Sequence, residues 1–295
     1  MMLLFGTGYV TLNNAVKRPG DFYAFISYGL GKSAGLGSGI AAALSYFMLL
    51  AGVTSYFGVS CAELQKSLMG TALPWYVFTL GCWAAVGILG YLHVELSAKV
   101  LFWVMLTEIV ICLAFAFGVL HAGGNGELAA SAPFTPGELT KDGVNIPFGM
   151  LFAVSFFMGF EATALFRDEC KNPDVTIPRA TYGSIIFIGI LYTLCAYAMI
   201  MAYGHTAQAV ATDSPATMFP NAFGLFVDNR LQVIITILVL SSAFAASLST
   251  HNVLSRYLFN LGTDGAIPRF FSNIHIRHSS PFAASMAVSL MVLVI

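Results

Sequence analysis

Long apolar segments recur along this sequence, and they constrain its fold more than any other feature. A helix needs roughly 20 apolar residues to cross a bilayer. Segments of that length lie near 37–62, 74–92, 98–121, 146–166, 180–203 and 231–250, with shorter ones at 1–12 and 281–295. The sequence therefore predicts an all-α polytopic membrane protein, in which residues 1–295 form a single transmembrane domain with six complete spans and two partial ones.

The composition supports this class of protein. Only 9% of the residues are charged and 58% are hydrophobic, whereas soluble domains have roughly 25% charged residues. The net charge of -1 and the lack of a basic block argue against a nucleic-acid partner. The five cysteines are scattered without a CxxC pair or a zinc-like spacing, so we predict neither a metal site nor a cofactor.

The distribution of Lys and Arg predicts the orientation, because cytoplasmic loops carry an excess of basic residues. When alternate loops are assigned to opposite sides of the bilayer, one side receives ten of the 13 basic residues. These ten are Lys17, Arg18, Lys32, Lys99, Arg167, Lys171, Arg179, Arg256, Arg269 and Arg277, and the other three are Lys66, Lys141 and Arg230. The loop after residue 166 is therefore predicted to be cytoplasmic, in a protein of the plasma membrane.

One apolar segment is interrupted in a way that indicates a site. The stretch Ser155–Ala180 reads SFFMGFEATALFRDECKNPDVTIPRA, with Gly159 and Glu161 inside the apolar part. A carboxylate in hydrocarbon is costly and marks a functional residue. A helix in a membrane is broken only where it is buried in protein or lines a wet cavity, and its freed carbonyls and N–H groups can then bind charged substrate groups. The alternative is that Gly159 permits close helix packing and Glu161 is a structural hydrogen-bonding group.

Three sequence motifs resemble those of the amino acid–polyamine–organocation permease family. GFEA followed by KNP and IPRA resembles the family's sixth span, and SRYLFNLGTDGAIPRFFSNIHIRHSSPFAA resembles the loop after its eighth span. Residues 18–47 are similar to the family's passage from span two into span three. The likeness covers essentially the whole chain. It implies two five-span inverted repeats with the substrate between broken spans one and six.

By this resemblance the chain begins midway through span two and stops early in span nine, so we expect an incomplete five-plus-five fold that is inactive by itself. The span expected to hold the substrate carboxylate, span one, would then be absent. The turn at Arg167–Glu169 reads RDE, where the family has a pair of acids, which weakens inference about gating there.

The resemblance also implies which residues bind substrate. The matching part of span six comprises Ser155, Phe157, Met158, Gly159, Phe160 and Glu161. We expect main-chain carbonyls to contact a substrate ammonium and Phe160 to close over the substrate side chain. Tyr46 either contributes to the pocket wall or is a buried aromatic residue with a hydroxyl partner.

Three further residues are candidates for proton or ion coupling. Glu108 stands mid-span where some relatives carry a Lys, and it either titrates or pairs with a neighbour. Ser242 belongs to a series of polar residues on the eighth span. Hydrogen bonds of these residues to their own helix or to a neighbouring helix would also explain the series. His251 carries an imidazole that can titrate near neutral pH, or it lies near the cytoplasmic mouth.

The predicted function is secondary transport of an amino acid or related amine, driven by protons or by exchange for a counter-substrate. The alternative is a membrane receptor or sensor, which the broken helix and the two buried acids disfavour. An intramembrane enzyme is disfavoured because the sequence has no HExxH or GxSxG motif and its carboxylates are dispersed.

Overall fold

A computed structural model describes residues 1–17, 21–71, 73–92, 94–135, 137, 145–274 and 280–293 of the chain, without the side chains of 94–98, 166, 168 and 169. Arg18, Lys141 and Arg277, which entered the orientation count, lie outside the described residues.

Within the described residues the regular structure is entirely helical. The α-helices are α1 Met2–Ala15, α2 Asp21–Leu30, α3 Lys32–Met69, α4 Trp75–Leu92, α5 Val94–Ala122, α6 Ile146–Ser155, α7 Pro173–Tyr203, α8 Ala207–Asp213, α9 Pro215–Phe226, α10 Gln232–Thr263 and α11 Phe282–Leu293. A 3₁₀ segment, Phe160–Glu169, follows α6. Among the described residues, six segments are long and apolar enough to cross a membrane: Lys32–Met69, Trp75–Leu92, Lys99–Ala122, Ile146–Leu165, Pro173–Asp213 and Asn229–Thr263. The predicted all-α polytopic architecture is confirmed, and these six segments overlap the six spans that the sequence predicts as complete.

The surfaces of these segments are apolar and exposed. Leu80 and Ile88 on α4 and Trp103 and Phe117 on α5 have relative accessibilities between 48% and 71%. Large exposed apolar faces of this kind destabilise a protein in water. They are the faces that a bilayer covers.

Helix α2 lies between the first apolar segment and the one that begins near residue 37, and the pattern of apolar segments did not predict it. The helix DFYAFISYGL buries Asp21, Ala24 and Phe25, which are spaced at i, i+3 and i+4 and therefore share one face. Gly31, with a φ of 93°, joins α2 directly to α3. Two further short helices, α8 and α9, lie within residues 204–230.

The chain forms two compact units. The first comprises Met1–Leu3, Leu106–Phe160 and Tyr182–Val239, and its core contains Phe115, Val119, Ala198 and Phe223. The second comprises Leu4–Met105, Glu161–Thr181 and Leu240–Ile295, and its core contains Tyr46, Leu50, Leu254 and Tyr257. The single transmembrane domain stays a prediction.

Candidate functional site

The predicted break in the sixth span lies between α6 and the 3₁₀ segment. The Asn145 side chain caps α6 by accepting a 3.0 Å hydrogen bond from the N–H of Phe148. The helix ends at Ser155, four turn residues follow, and Gly159 has a φ of 103°. Glycine adopts positive φ without the steric cost of a Cβ atom. Gly159 therefore has a backbone role in the break, as well as no side chain to obstruct a ligand.

The peptide groups of the break are partly paired among themselves. The N–H groups of Phe157 and Met158 donate 3.0 Å bonds to the carbonyls of Val154 and Ser155, and the Phe160 N–H donates to Phe157 at 3.4 Å. The exposed Ser155 hydroxyl donates to the Leu151 carbonyl at 2.8 Å. A substrate ammonium at the Ser155 or Phe157 carbonyl would therefore share an acceptor that already holds one bond, which is possible because a carbonyl has two lone pairs.

The apolar side chains of the break occupy different environments. Phe160 is buried at 7% accessibility, whereas Met158 is exposed at 46%. Phe157 lines a cavity of about 470 Å³ in the first unit, together with Met150, Val154, Ile185, Ile186 and Ile190. This lining provides apolar contacts, which suit a hydrocarbon group and not a charged one.

The carboxyl of Glu161 is buried and hydrogen-bonded. Its accessibility is 6%, and the Tyr46 hydroxyl donates to its Oε1 atom at 2.5 Å. Tyr46 lies on α3 and its ring is 5.6 Å from that of Tyr257 on α10. Tyr46 is therefore a buried aromatic residue whose hydroxyl has a partner, which was one of the two roles considered for it. The partner is Glu161, the acid that follows the break.

A second acid, Asp21, lies in the same buried network. Its carboxyl has 0% accessibility, accepts a hydrogen bond from Tyr257 at 2.6 Å, and is hydrogen-bonded to the Tyr9 hydroxyl at 2.7 Å. The Tyr9 hydroxyl is also hydrogen-bonded to the main-chain carbonyl of Glu161. We call Tyr9, Asp21, Tyr46, Glu161 and Tyr257 the carboxyl–tyrosine cluster. All five belong to the second unit.

Near the cluster, the end of α1 is tied to the beginning of α7 by Arg167. Its guanidinium is 6% accessible, donates to the carbonyl and the side-chain oxygen of Asn13 at 3.3 and 3.2 Å, and pairs with Asp174. Lys17 approaches the same Asp174 carboxylate at 3.5 Å. The cationic first residue of the RDE turn is thus a buried structural residue.

The coupling candidates stand on α5 and α10. Glu108 is half-buried on α5 in the first unit, one turn before Cys112, whose thiol is hydrogen-bonded to that of Cys195 on α7. Ser242 is half-buried on α10. Their roles in coupling stay predictions.

His251 is 2% accessible, and its Nε2 atom lies 3.0 Å from the Ser289 hydroxyl of α11. The indole N–H of Trp83 on α4 donates to the Ser289 carbonyl at 2.7 Å. His251 is therefore enclosed among α4, α10 and α11, while Tyr257 of the same helix reaches Asp21. The neighbouring Ser247 hydroxyl bonds its own helix at Ala243, as expected of Ser in membrane helices.

Comparison with known proteins decides the family. The model of the amino acid permease family matches residues 1–295.

The chain belongs to the amino acid permease family. This confirms the resemblance seen in the three motifs, and with the six apolar segments it makes the chain a multi-pass protein of the plasma membrane. The family consists of transport permeases, which are not enzymes.

This permease chain is similar to relatives whose names refer to different substrates. It is 26% identical to the branched-chain amino acid permease BcaP of Lactococcus lactis over 92% of this chain and 60% of the relative. It is 25% identical to the L-asparagine permease of Escherichia coli over 91% of this chain and 54% of the relative. The low-affinity putrescine importer PlaP of Escherichia coli is 26% identical over 56% of this chain and 36% of the relative. The chain spans about half the length of the curated relatives that it matches.

Sequence reasoning missed three members of the permease's carboxyl–tyrosine cluster: Tyr9, Asp21 and Tyr257. An acid after Pro-Gly at the beginning of a helix is an ordinary first-turn residue, where it interacts favourably with the helix dipole. Asp21 does have an unusual backbone conformation, because its φ of 51° is uncommon for a residue other than glycine. This conformation is seen in the structure and could not be read from the sequence.

Proposed function

We propose that this permease is a secondary transporter of amino acids or related amines, and that the broken segment Ser155–Glu161 binds the substrate. The observation that carries this proposal is a membrane helix that ends at Ser155 and resumes with a buried, hydrogen-bonded carboxyl at Glu161, in a chain matched throughout by the permease family model. Broken membrane helices expose main-chain groups that bind charged ligands.

The substrate class follows from a shared chemical group. Branched-chain amino acids, asparagine and putrescine, after which three relatives are named, all carry an ammonium group. Carbonyl oxygens at the end of α6 and the negative end of the helix dipole favour a cation there. We therefore assign the ammonium to the carbonyls of the break and the substrate side chain to Phe157, Met158 and Phe160.

For the driving force we propose proton coupling, with Glu108, His251 and Ser242 as candidates alongside Glu161. Exchange for a counter-substrate is the alternative. Imposed proton gradients separate the two, because exchange requires internal substrate and does not require a pH difference.

The test is uptake into proteoliposomes of radiolabelled leucine, asparagine, phenylalanine and putrescine. It is made with the full-length gene product and with residues 1–295, because the chain spans about half of its relatives. We expect saturable uptake by the full-length protein and none by residues 1–295 alone. Saturable binding of a probe without uptake would instead favour a sensor, and neither binding nor uptake of any probe would contradict the proposed substrate class.

The broken segment is tested by Gly159→Ala, with Gly149→Ala as the matched control. A Cβ atom at either position meets no atom within 4 Å, but only Gly159 has a positive φ. Alanine is therefore strained at 159 alone. We expect Gly159→Ala to lower the uptake rate at least tenfold and Gly149→Ala to leave it unchanged. Equal rates in the two variants would remove the break from the mechanism.

A further inference from the structure

The hydroxyl of Tyr9 contacts two acceptor oxygens with a single proton. It lies 2.7 Å from Oδ1 of Asp21 and is also hydrogen-bonded to the carbonyl of Glu161. A phenol carries one proton and can accept as well as donate. Tyr9 therefore donates to one of these oxygens, and its contact with the other needs a proton from elsewhere.

Tyr257 does not provide that proton, because it donates its own to Oδ2 of Asp21 at 2.6 Å. The two tyrosines thus provide two protons for three contacts. These contacts are Tyr9 with Asp21, Tyr9 with the Glu161 carbonyl, and Tyr257 with Asp21. A protonated Asp21 supplies the third. Its Oδ1–H then donates to Tyr9, Tyr9 donates to the carbonyl of Glu161, and each contact has a proton.

The surroundings of Asp21 favour the protonated form. The carboxyl is fully buried, and a buried ionised carboxylate is costly. The pKa of Asp21 is raised to about 8, chiefly because the carboxyl is buried and also because of the charge of Glu161, against the opposite effect of hydrogen bonds with Tyr257, Tyr9 and the Phe22 N–H. The segment that carries Asp21, α2, is not among those long and apolar enough to cross the membrane.

Other charged and titratable groups stand on the elements around Asp21. They include Tyr9 on α1, Tyr46 on α3, Glu161 and Arg167 on the 3₁₀ segment, and His251, Arg256 and Tyr257 on α10. Arg167 bonds Asn13 and Asp174, and Arg256 donates to the Asn252 carbonyl at 3.3 Å. His251 is bonded to Ser289. Glu161 is thus the nearest acid in the hydrogen-bonded network of Asp21.

We propose that Asp21 is a proton-binding residue of this permease, and that its proton decides whether Tyr9 holds the carbonyl of Glu161. When Asp21 releases its proton to solvent, the Tyr9 O–H turns from the Glu161 carbonyl to Asp21 Oδ1, and the carbonyl loses that bond. The first residue after the break is then held less tightly to α1. The link to transport rests on the proposed function, whereas the protonation itself does not.

The backbone at Asp21 makes clean variants possible. Asn and Gly are both common at positive φ, so each fits the φ of 51°. Asp21→Asn keeps the volume and hydrogen-bonding capacity without titrating, and Asp21→Gly removes the side chain. Glu63→Gln is the matched control, because it removes an exposed acid on α3 in the same unit.

The direct test is infrared difference spectroscopy of the purified full-length gene product in detergent, titrated from about pH 6 to about pH 10 around the raised pKa. We expect the band of a buried protonated carboxyl to disappear with a midpoint near pH 8. The band that disappears near pH 8 should be lost in Asp21→Asn and Asp21→Gly and retained in Glu63→Gln. Persistence of that transition in Asp21→Asn, or its absence from the wild type, would overturn the proposal.

The second arm measures coupling. If the wild type takes up one of the four labelled probes, Asp21→Asn should retain counterflow exchange and lose the stimulation of uptake by an imposed proton gradient. Unchanged stimulation would refute the role of Asp21 in coupling. If the wild type takes up no probe, the transport proposal fails, and the infrared result still decides whether Asp21 binds a proton.

Discussion

The Tyr46 hydroxyl donates a 2.5 Å hydrogen bond to the Glu161 carboxyl, 115 residues away in the sequence and next to a helix break. Buried carboxyls need such partners, since an unsatisfied one retains the full cost of its desolvation. The bond joins α3 to the first residue after the break. It gives Glu161 a structural role whatever its part in transport.

We expect Tyr46→Phe to destabilise the protein by about 1–3 kcal/mol, the usual cost of leaving a buried polar group unsatisfied. Unfolding in detergent, followed by intrinsic fluorescence, measures the change. Tyr56→Phe, at a site 38% accessible, is the control and should have little effect. In a Glu161→Leu background, which has no acceptor for the Tyr46 hydroxyl, the cost of Tyr46→Phe should fall; an equal cost would mean that Tyr46 acts through packing alone.

Wild-type stability should depend on pH through Asp21. Because its pKa is raised from 3.8 to about 8, the folded protein binds a proton that the unfolded chain releases between these values. The stabilisation is thus fully present below about pH 4 and is lost as pH rises to about 8, a change on the order of a few kcal/mol. Melting temperatures across this range should fall for the wild type and stay flatter for Asp21→Asn. A parallel decline in both proteins would contradict the assignment.

Arg167→Lys should destabilise the turn at Arg167–Glu169. The guanidinium reaches both oxygens of Asn13 and also Asp174, a geometry that a single ammonium cannot reproduce. We expect a loss of about 1–3 kcal/mol, as for hydrogen bonds to charged groups. The exposed Arg179 is the control, and Arg179→Lys should be neutral in the same unfolding assay. Similar small effects in both would show that the Arg167 contacts contribute little.

Gly90→Ala should disturb the environment of His251. A Cβ atom at position 90 would lie 2.7 Å from Nδ1 of His251, so the imidazole must move and its bond to Ser289 must change. Overpacking of this kind costs about 1–3 kcal/mol. Gly81→Ala on the same helix, where a Cβ meets nothing within 4 Å, should be neutral or slightly stabilising. Thermal unfolding of the two variants is compared. Equal melting temperatures would show that α4 accommodates the extra Cβ atom without loss of stability.

The spans and the break were predictable because their causes are local in sequence. Hydrocarbon length requires about 20 consecutive apolar residues, and Gly159 beside Glu161 marks where such a segment cannot continue as a helix. Helix α2 was missed because ten residues are too few to stand out, and the helix is stabilised by packing of Ala24 and Phe25.

The sequence by itself determined the membrane class, the number of complete spans, the interruption at Gly159 and Glu161, and the family. Only the tertiary structure decided which of the 12 tyrosines bond the two buried acids, because Asp21 and Tyr257 are 236 residues apart and no local pattern relates them. It also showed that the His251 imidazole is hydrogen-bonded to Ser289. Packing brings distant side chains together, and the cost of burying each polar group then decides which of them become partners.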